Sequence, residues 1–362
     1  MNVLAFQPWD GGSHRAIRRS IDRHGAFQWH WASLPARGPR WRLRLGAAEL
    51  TSKAGEQGLL ERSYDCLFTT SMLDAAQLRA LLPKSLRATP LVLYMHENQL
   101  AYPVSNHVEE TTRSRDGHLV STNLASMLAA DLVLFNSEYN RGSFINELPG
   151  FLRHAPDRMP ASWEDRILER SRIAWPPVEP IPEPVLRNPR DGSYPDGCRI
   201  AWPHRLEHDK GPEELLELFD KEADSRNLRL VLLGERYQDL PDAINELRAR
   251  HGDRIDHDGW IEDRDAYLEM LASCDWVLST ARHEFFGIAV VEALLCGCLP
   301  WLPQRLSYPE LLPKEALSCS PGSPPKDRDA MVKEIRSHLA PALAPAAVAH
   351  IESCIENSLR AG

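Results

Sequence analysis

The chain's 362 residues are enough for two domains with a full hydrophobic core each, which excludes a peptide-sized or disulfide-stapled scaffold. With 43% apolar and 26% charged residues the composition is globular, and the longest apolar run, 287–303, is broken by Glu292, so neither a membrane span nor a membrane partner is expected. The net charge of −9 is uneven: residues 1–178 hold 21 Lys/Arg against 18 Asp/Glu, a surplus of +3 that leaves −12 for the remainder, so a polyanion could still dock on the N-terminal half.

From the start, Met1-Asn2-Val3-Leu4-Ala5-Phe6 lacks the basic stretch and long apolar core of a secretory signal, and the cytoplasm is the expected compartment. Short β-rich runs at 3–6, 65–69, 91–94 and 132–135 are each followed by a loop and a helix-like stretch, the βαβ pattern of a parallel sheet. Prolines at 176, 177, 180, 182, 184, 189 and 195 read as a linker. The alternation then restarts, with strands expected at 199–202, 228–233, 254–257, 276–279 and 299–302, helices between them, and a terminal helix over 345–360. The expected architecture is α/β: an N-terminal Rossmann-like domain (1–178), a Pro-rich linker (179–197), a C-terminal Rossmann-like domain (198–344) and a C-terminal helix (345–362). Ligands of doubly wound sheets bind at the carboxyl ends of the strands, so two facing halves would place a cleft between them. The seven cysteines are scattered without paired CxxC spacing and read as buried thiols rather than a metal or redox site.

In the first half, Asp10-Gly11-Gly12-Ser13-His14 follows a strand and precedes a helix; its glycines could bring backbone against a ligand while Ser13 caps the helix. Residues 14–44 hold eight arginines (15, 18, 19, 23, 37, 40, 42, 44), three tryptophans (29, 31, 41) and one acid, Asp22. Such a mixture can grip the phosphates and stack the splayed bases of an RNA loop; equally, the tryptophans could be core and the arginines a solvated surface. At the end of the run 91–94 stand His96, Glu97, Asn98 and Gln99, four polar side chains that are costly to bury without a task, or else a solvated loop.

In the second half, Arg205 and Lys210-Gly211 precede a helix start, a setting suited to a diphosphate. Glu284 and Glu292 flank the turn Phe285-Phe286-Gly287-Ile288, whose helix start favours an anion. At 1.5 Å per residue the two carboxylates stand ~12 Å apart, which suits a nucleotide sugar lying along the helix, with Glu284 on a sugar hydroxyl and Glu292 on a ribose diol. Two Asp-x-Asp triplets, Asp256/Asp258 and Asp263/Asp265, have structural explanations at a strand end and a helix cap, and no metal is expected.

Arg205, Lys210-Gly211, Gly259-Trp260 and the two glutamates within His283-Glu284-Phe285-Phe286-Gly287 together resemble the GT-B glycosyltransferases of family 4. Gly11-Gly12-Ser13-His14, Leu34-Pro35-Ala36-Arg37 with Trp41-Arg42-Leu43-Arg44, His96-Glu97-Asn98-Gln99-Leu100 with Tyr102-Pro103, and Phe135-Asn136-Ser137 narrow the likeness to the tRNA-queuosine α-mannosyltransferases, a branch of that family. The resemblance covers about residues 2–312. It implies a GT-B enzyme that moves mannose from GDP-mannose to queuosine at the wobble position of tRNA(Asp), with retention and without a metal cofactor. Carried over residue by residue, it implies catalytic roles for Glu284, Arg205, Lys210 and His96. Donor contacts would come from Gly12, Arg205, Lys210, Gly259, Trp260, Glu284, Phe286, Gly287, Ile288 and Glu292. Acceptor contacts would come from Ser13, His14, Glu97, Asn98 and Gln99, and tRNA contacts from Arg15, Arg37, Arg40, Arg42 and Arg44. The alternatives are a GT-B enzyme with a small-molecule, lipid or protein acceptor, a sugar-nucleotide epimerase on the same fold, and a non-catalytic nucleotide-sugar or tRNA-binding module.

Overall fold

The computed structural model describes residues 1–101, 110–160, 162–186, 198–235 and 240–361. They form two compact units, one of residues 1–177 with 342–362 and the other of residues 178–341. In the first, β1 (Asn2–Asp10), α1 (Gly12–His24), β2 (Gln28–Pro35), α2 (Pro39–Glu56), β3 (Cys66–Thr70), α3 (Ala75–Leu81), β4 (Leu91–Met95), α4 (Glu110–Ala129), β5 (Leu132–Phe135), α5 (Glu138–Leu152), α6 (Ser162–Glu169) and β6 (Ser171–Ile173) follow in order. The second contains α7 (Glu183–Leu186), β7 (Cys198–Trp202), α8 (Pro212–Glu222), β8 (Leu228–Leu232), α9 (Asp242–His251), β9 (Ile255–Asp258), α10 (Arg264–Ala272), β10 (Trp276–Leu278), α11 (Ile288–Leu295), β11 (Leu299–Trp301) and α12 (Arg328–His338). The last helix, α13 (Ala344–Ala361), packs on α1 in the first unit.

Both sheets are wholly parallel. The first runs β2-β1-β3-β4-β5-β6, so the winding direction reverses between β1 and β3; the second runs β11-β10-β7-β8-β9 and reverses between β7 and β10. Helices that follow strands beside such a reversal lie on opposite faces of the sheet and leave a crevice at the strands' carboxyl ends, which fixes where side chains can meet a ligand. Helices cover both faces of the first sheet, and β1 shows why: Val3 and Ala5 point to a cluster with Ile17, Ile21, Phe68 and Ile351, while Leu4 and Phe6 point to one with Leu34, Ala47, Leu50 and Leu78. In α13, Val348, Ile351 and Ile355 recur at helical spacing and are fully buried, each worth about 1.5–3 kcal/mol. Glu352 on the same helix accepts hydrogen bonds from the Ala26 and Phe27 amides at 2.9 and 3.0 Å and from Trp29 Nε1 at 3.0 Å.

Two strands, β2 and β6, lie where the sequence pattern showed none, both at the sheet edges. The stretch expected as a linker, 179–197, divides: residues 178–186 belong to the second unit, where Ile181 and Val185 are buried and α7 packs on α10, and residues 187–197 lie outside the described residues. The expected C-terminal domain limit at 344 falls instead at 341, and α13 joins the first unit. Among the described residues no helix is long and apolar enough to cross a membrane.

Candidate active site

In the second unit, the loops after β7 and β10 flank the reversal point and are pressed together. A Cβ on Gly211, whose φ is +67°, would stand 2.2 Å from the Thr280 carbonyl oxygen, so only glycine permits this approach. The Asp209 carbonyl accepts from the amides of Arg282 and His283 at 2.9 and 3.2 Å. Between the loops lies Lys210, whose Nζ donates to the His283 carbonyl at 2.8 Å and meets Asp209 at 3.0 Å and Glu284 at 3.6 Å. Burial opposes its charge, but Glu284 and Asp209 outweigh burial and hold the ammonium above its usual pKa. Burial likewise opposes ionisation of Glu284, and Lys210, the neighbouring histidines and the Phe286 amide outweigh it, leaving that carboxyl below its usual value. Arg205 differs: its side chain is 48% exposed and pairs with Glu207 at 3.0 Å.

The structure therefore brings Lys210 and Glu284 together, next to Phe286, Gly287 and the start of α11 at Ile288. Glu292, about one turn along α11, is buried and accepts from Arg264 at 2.6 Å and from Tyr267 at 3.2 Å, partners that the Glu-x7-Glu spacing did not announce. Gly259 and Trp260 follow the edge strand β9, two strands away from β7, and Trp260 stands in solvent. Of the Asp-x-Asp acids, Asp256 is held by Arg199 and Arg229, Asp258 by Arg248, and Asp263 caps α10 through the Ala266 amide.

The first unit assembles a different kind of site. After β1, a Cβ on Gly11 would stand 2.3 Å from the Ala36 Cβ, so this glycine serves packing against β2. Gly12, with φ +50°, opens α1 and is exposed. Ser13 does not cap the helix: Gly11 holds the cap position without a side-chain bond, and Ser13 lies one residue inside α1, facing outward. One residue on, His14 is buried and its ring stacks on that of His96, which follows β4, with centroids 3.6 Å apart and planes inclined by 25°. Tyr94 packs edge-on against His96 at 4.8 Å. His14 Nδ1 and His96 Nε2 are buried without a hydrogen-bond partner. Burial lowers the pKa of His14 to about 3 despite Asp10, and burial followed by the His14 neighbour holds that of His96 well below the usual histidine value, so both rings are neutral.

Asn98 is not offered to a ligand. Fully buried, it donates to the Asn140 carbonyl and side chain and to Ser143 and accepts from the Ala101 amide, so it ties its loop to α5. Asn140 in turn donates to the Met95 carbonyl and to Asn136, and Asn136 donates to the His96 carbonyl at 2.8 Å. Glu97 and Gln99 are half-buried beside each other, 3.3 Å apart. Tyr102 and Pro103 lie outside the described residues.

Along residues 14–44 the arginines separate. Arg37, Arg40 and Arg44 are exposed, as are Trp41 (68%) and Leu45. Arg15 bonds the Asp10 carbonyl at 2.6 Å and stays half exposed. Arg42 is 5% exposed, paired with Glu49 and bonded to the Pro35 carbonyl; it braces α2 against β2 and does not share a face with Arg40 and Arg44. Trp29 and Trp31 stack on one another at 5.5 Å and meet Phe68 edge-on, so they belong to the core margin.

Residues 2–178 match the family described as tRNA-queuosine alpha-mannosyltransferase N-terminal, and residues 192–339 match glycosyl transferases group 1. A tRNA-queuosine alpha-mannosyltransferase of Drosophila melanogaster is 34% identical over 328 residues, 87% of this chain and 83% of that protein. A GDP-mannose-dependent alpha-(1-6)-phosphatidylinositol dimannoside mannosyltransferase of Mycobacterium tuberculosis is 32% identical over 121 residues, 32% of this chain and 29% of that protein. Anabaena HepE, solved with UDP and glucose, superposes with a TM-score of 0.61 at 17% identity, each chain covered completely. Two parallel-sheet α/β units and these likenesses make the protein a glycosyltransferase of GT-B fold, and the chain belongs to the tRNA-queuosine alpha-mannosyltransferase family.

Proposed function

We propose that this glycosyltransferase moves mannose from GDP-mannose to a cyclopentene-diol hydroxyl of queuosine at the wobble position of tRNA(Asp), with retention and without a metal. The observation that carries the reading is the likeness to a tRNA-queuosine alpha-mannosyltransferase along 87% of the chain. The shorter likeness to a GDP-mannose-dependent enzyme supports the donor.

The site chemistry supports the same reading. Lys210 has three N–H donors; His283 and Asp209 take two, and Glu284, at 3.6 Å, is too far for a good bond with the third. That hydrogen serves a diphosphate oxygen, and Arg205, whose arm is exposed, turns from Glu207 to the same group. Their positive charge offsets the charge that develops as the glycosidic bond breaks, the part a metal would otherwise play. Glu284 orients the hexose and Glu292, with acceptor capacity left beyond Arg264 and Tyr267, the ribose. The neutral His14 and His96 present unpartnered nitrogens to the acceptor side. The exposed Arg37, Arg40 and Arg44 take tRNA phosphates, and Trp41 stacks a splayed base.

The test incubates the purified chain with GDP-mannose and queuosine-containing tRNA, followed by nucleoside mass analysis. A hexose added to queuosine with GDP-mannose, retained in EDTA and absent with queuosine-free tRNA, is the expected result. Addition from UDP-glucose instead, loss of activity in EDTA, or modification of tRNA lacking queuosine would overturn the corresponding part.

A further inference from the structure

His204, two residues past the end of β7, takes no part in the roles assigned above. It is 4% exposed, and its Nε2 is buried without a hydrogen-bond partner. Stranding a polar atom in this way is unfavourable, and a ligand able to hydrogen-bond the nitrogen would remove the cost. The ring is held rigidly. It packs edge-on against Trp202 at 5.1 Å, Trp202 Nε1 donates to Thr280 at 3.0 Å, and Thr280 donates to the Lys210 carbonyl at 2.9 Å. Its backbone is fixed as well, since a Cβ on Gly234 would stand 2.0 Å from the His204 carbonyl oxygen. His204 is thus framed with Lys210, and through Lys210 with Glu284, at the carboxyl end of the strand where the sheet winding reverses.

We propose that His204 is a donor-contacting residue, its Nε2–H donating to a β-phosphate oxygen of the nucleoside diphosphate. The inference rests on the donor reading given above. Burial and then the charge of Lys210 keep the imidazole neutral, with a pKa of about 3, so it adds a directional donor without adding a second buried cation beside Lys210. That division of labour suits a leaving diphosphate: Lys210 and Arg205 supply charge, and His204 supplies a fixed hydrogen bond that strengthens as the oxygen gains charge.

Calorimetric titration of the full chain with GDP, GMP and GDP-mannose tests this, using His204→Leu, His204→Gln and His204→Asn. A glutamine amide reaches the position of Nε2, whereas an asparagine amide reaches only that of Nδ1. The expected result is that His204→Leu and His204→Asn bind GDP and GDP-mannose roughly tenfold or more weakly, by similar factors, with GMP unchanged and with His204→Gln restoring most of the loss. Unchanged GDP binding, an equal loss for GMP, or a loss confined to GDP-mannose would overturn the phosphate contact, the last by placing the nitrogen on the hexose. Should the leucine variant fail to fold, the Gln and Asn variants decide by their contrast. UDP, UMP and UDP-glucose are run alongside. If the wild-type chain binds the uridine series instead, the GDP-mannose reading fails and the His204 contact is judged on UDP against UMP; if it binds neither diphosphate, both fall.

Discussion

Both units gather polar groups at the carboxyl ends of strands, after β7 and β10 on either side of the reversal in the second and after β1 and β4 in the first, yet the chemistry differs. In the second unit the groups are ions, Lys210 between Asp209 and Glu284, with the half-exposed Arg205 paired to Glu207. In the first the buried groups are neutral, a stacked pair of imidazoles whose loop is fixed by amides, Asn98, Asn136 and Asn140. Ions can be buried only with partners already in place, whereas neutral imidazoles survive burial with a nitrogen left unsatisfied. A site of the first kind is prepared for a ligand that brings charge. A site of the second kind suits a ligand that brings hydroxyls and a base, as the proposed acceptor does.

The sharpest way to break that contrast is to remove the buried cation. Lys210→Ala leaves Asp209 and Glu284 facing each other without it, and the variant should lose about 3 kcal/mol of stability together with a hundredfold or more of kcat/KM. Arg205→Ala should lose activity by roughly tenfold or more with no measurable change in stability, because its half-exposed pair with Glu207 is worth about 0–1 kcal/mol. Urea unfolding and steady-state kinetics on the two variants separate the outcomes. If both leave stability intact, Lys210 is not the structural centre of the site.

The imidazole pair makes the opposite prediction. His14→Phe keeps a ring against His96 but removes a stranded nitrogen, so stability at neutral pH should fall by no more than about 1 kcal/mol while turnover falls tenfold or more. The pH dependence carries its own sign. His14 titrates near 3 in the folded chain and near 6.5 unfolded, so between those values the unfolded chain binds more protons and stability declines as the pH falls. His96 and His204 act in the same direction. Replacing His14 should therefore flatten the acid limb by up to about 1.4 kcal/mol per pH unit. An unchanged slope in stability measurements from pH 6.5 to 4 would mean that His14 is not buried neutral.

Much of this contrast was legible in the sequence, and what escaped has physical reasons. Lys210-Gly211 and Glu284-Phe285-Phe286-Gly287 could be read because a glycine with positive φ fixes how the charged neighbours leave the backbone. Edge strands β2 and β6 could not: β2 mixes Gln28, His30 and Ser33 with its tryptophans, and β6 has three residues, so neither shows a buried run. Ser13 was expected as a cap because serine favours that position, but Gly12 already lies in the helix and shifts the cap to Gly11. His204 stands among Arg205, Glu207, His208 and Asp209, a context that reads as solvated, yet in the fold it is buried and packs against Trp202. Arg42 did leave a signal. Residues 40 and 44 are one helical turn apart and share a face, whereas 42 projects to the other side, toward β2.

That separation on α2 sets the smallest expected effect, one read only in RNA binding. Arg40→Glu with Arg44→Glu should weaken tRNA binding and lower the slope of log affinity against log salt by about 1.4 to 1.8, the contribution of two phosphates. Trp41→Ala should weaken binding by about 1–3 kcal/mol with little change in that slope, because stacking on a base releases no counterion. Arg42→Ala, on the opposite side of the same helix, should instead lower thermal stability, since it abandons Glu49 and the Pro35 carbonyl. GDP binding, assigned to the other unit, should not move in the three surface substitutions. Fluorescence titrations with tRNA at several salt concentrations, paired with thermal melts, decide the matter. If Arg40 and Arg44 leave the salt slope untouched, the basic surplus of the N-terminal half is ordinary surface charge, and the tRNA must be gripped elsewhere.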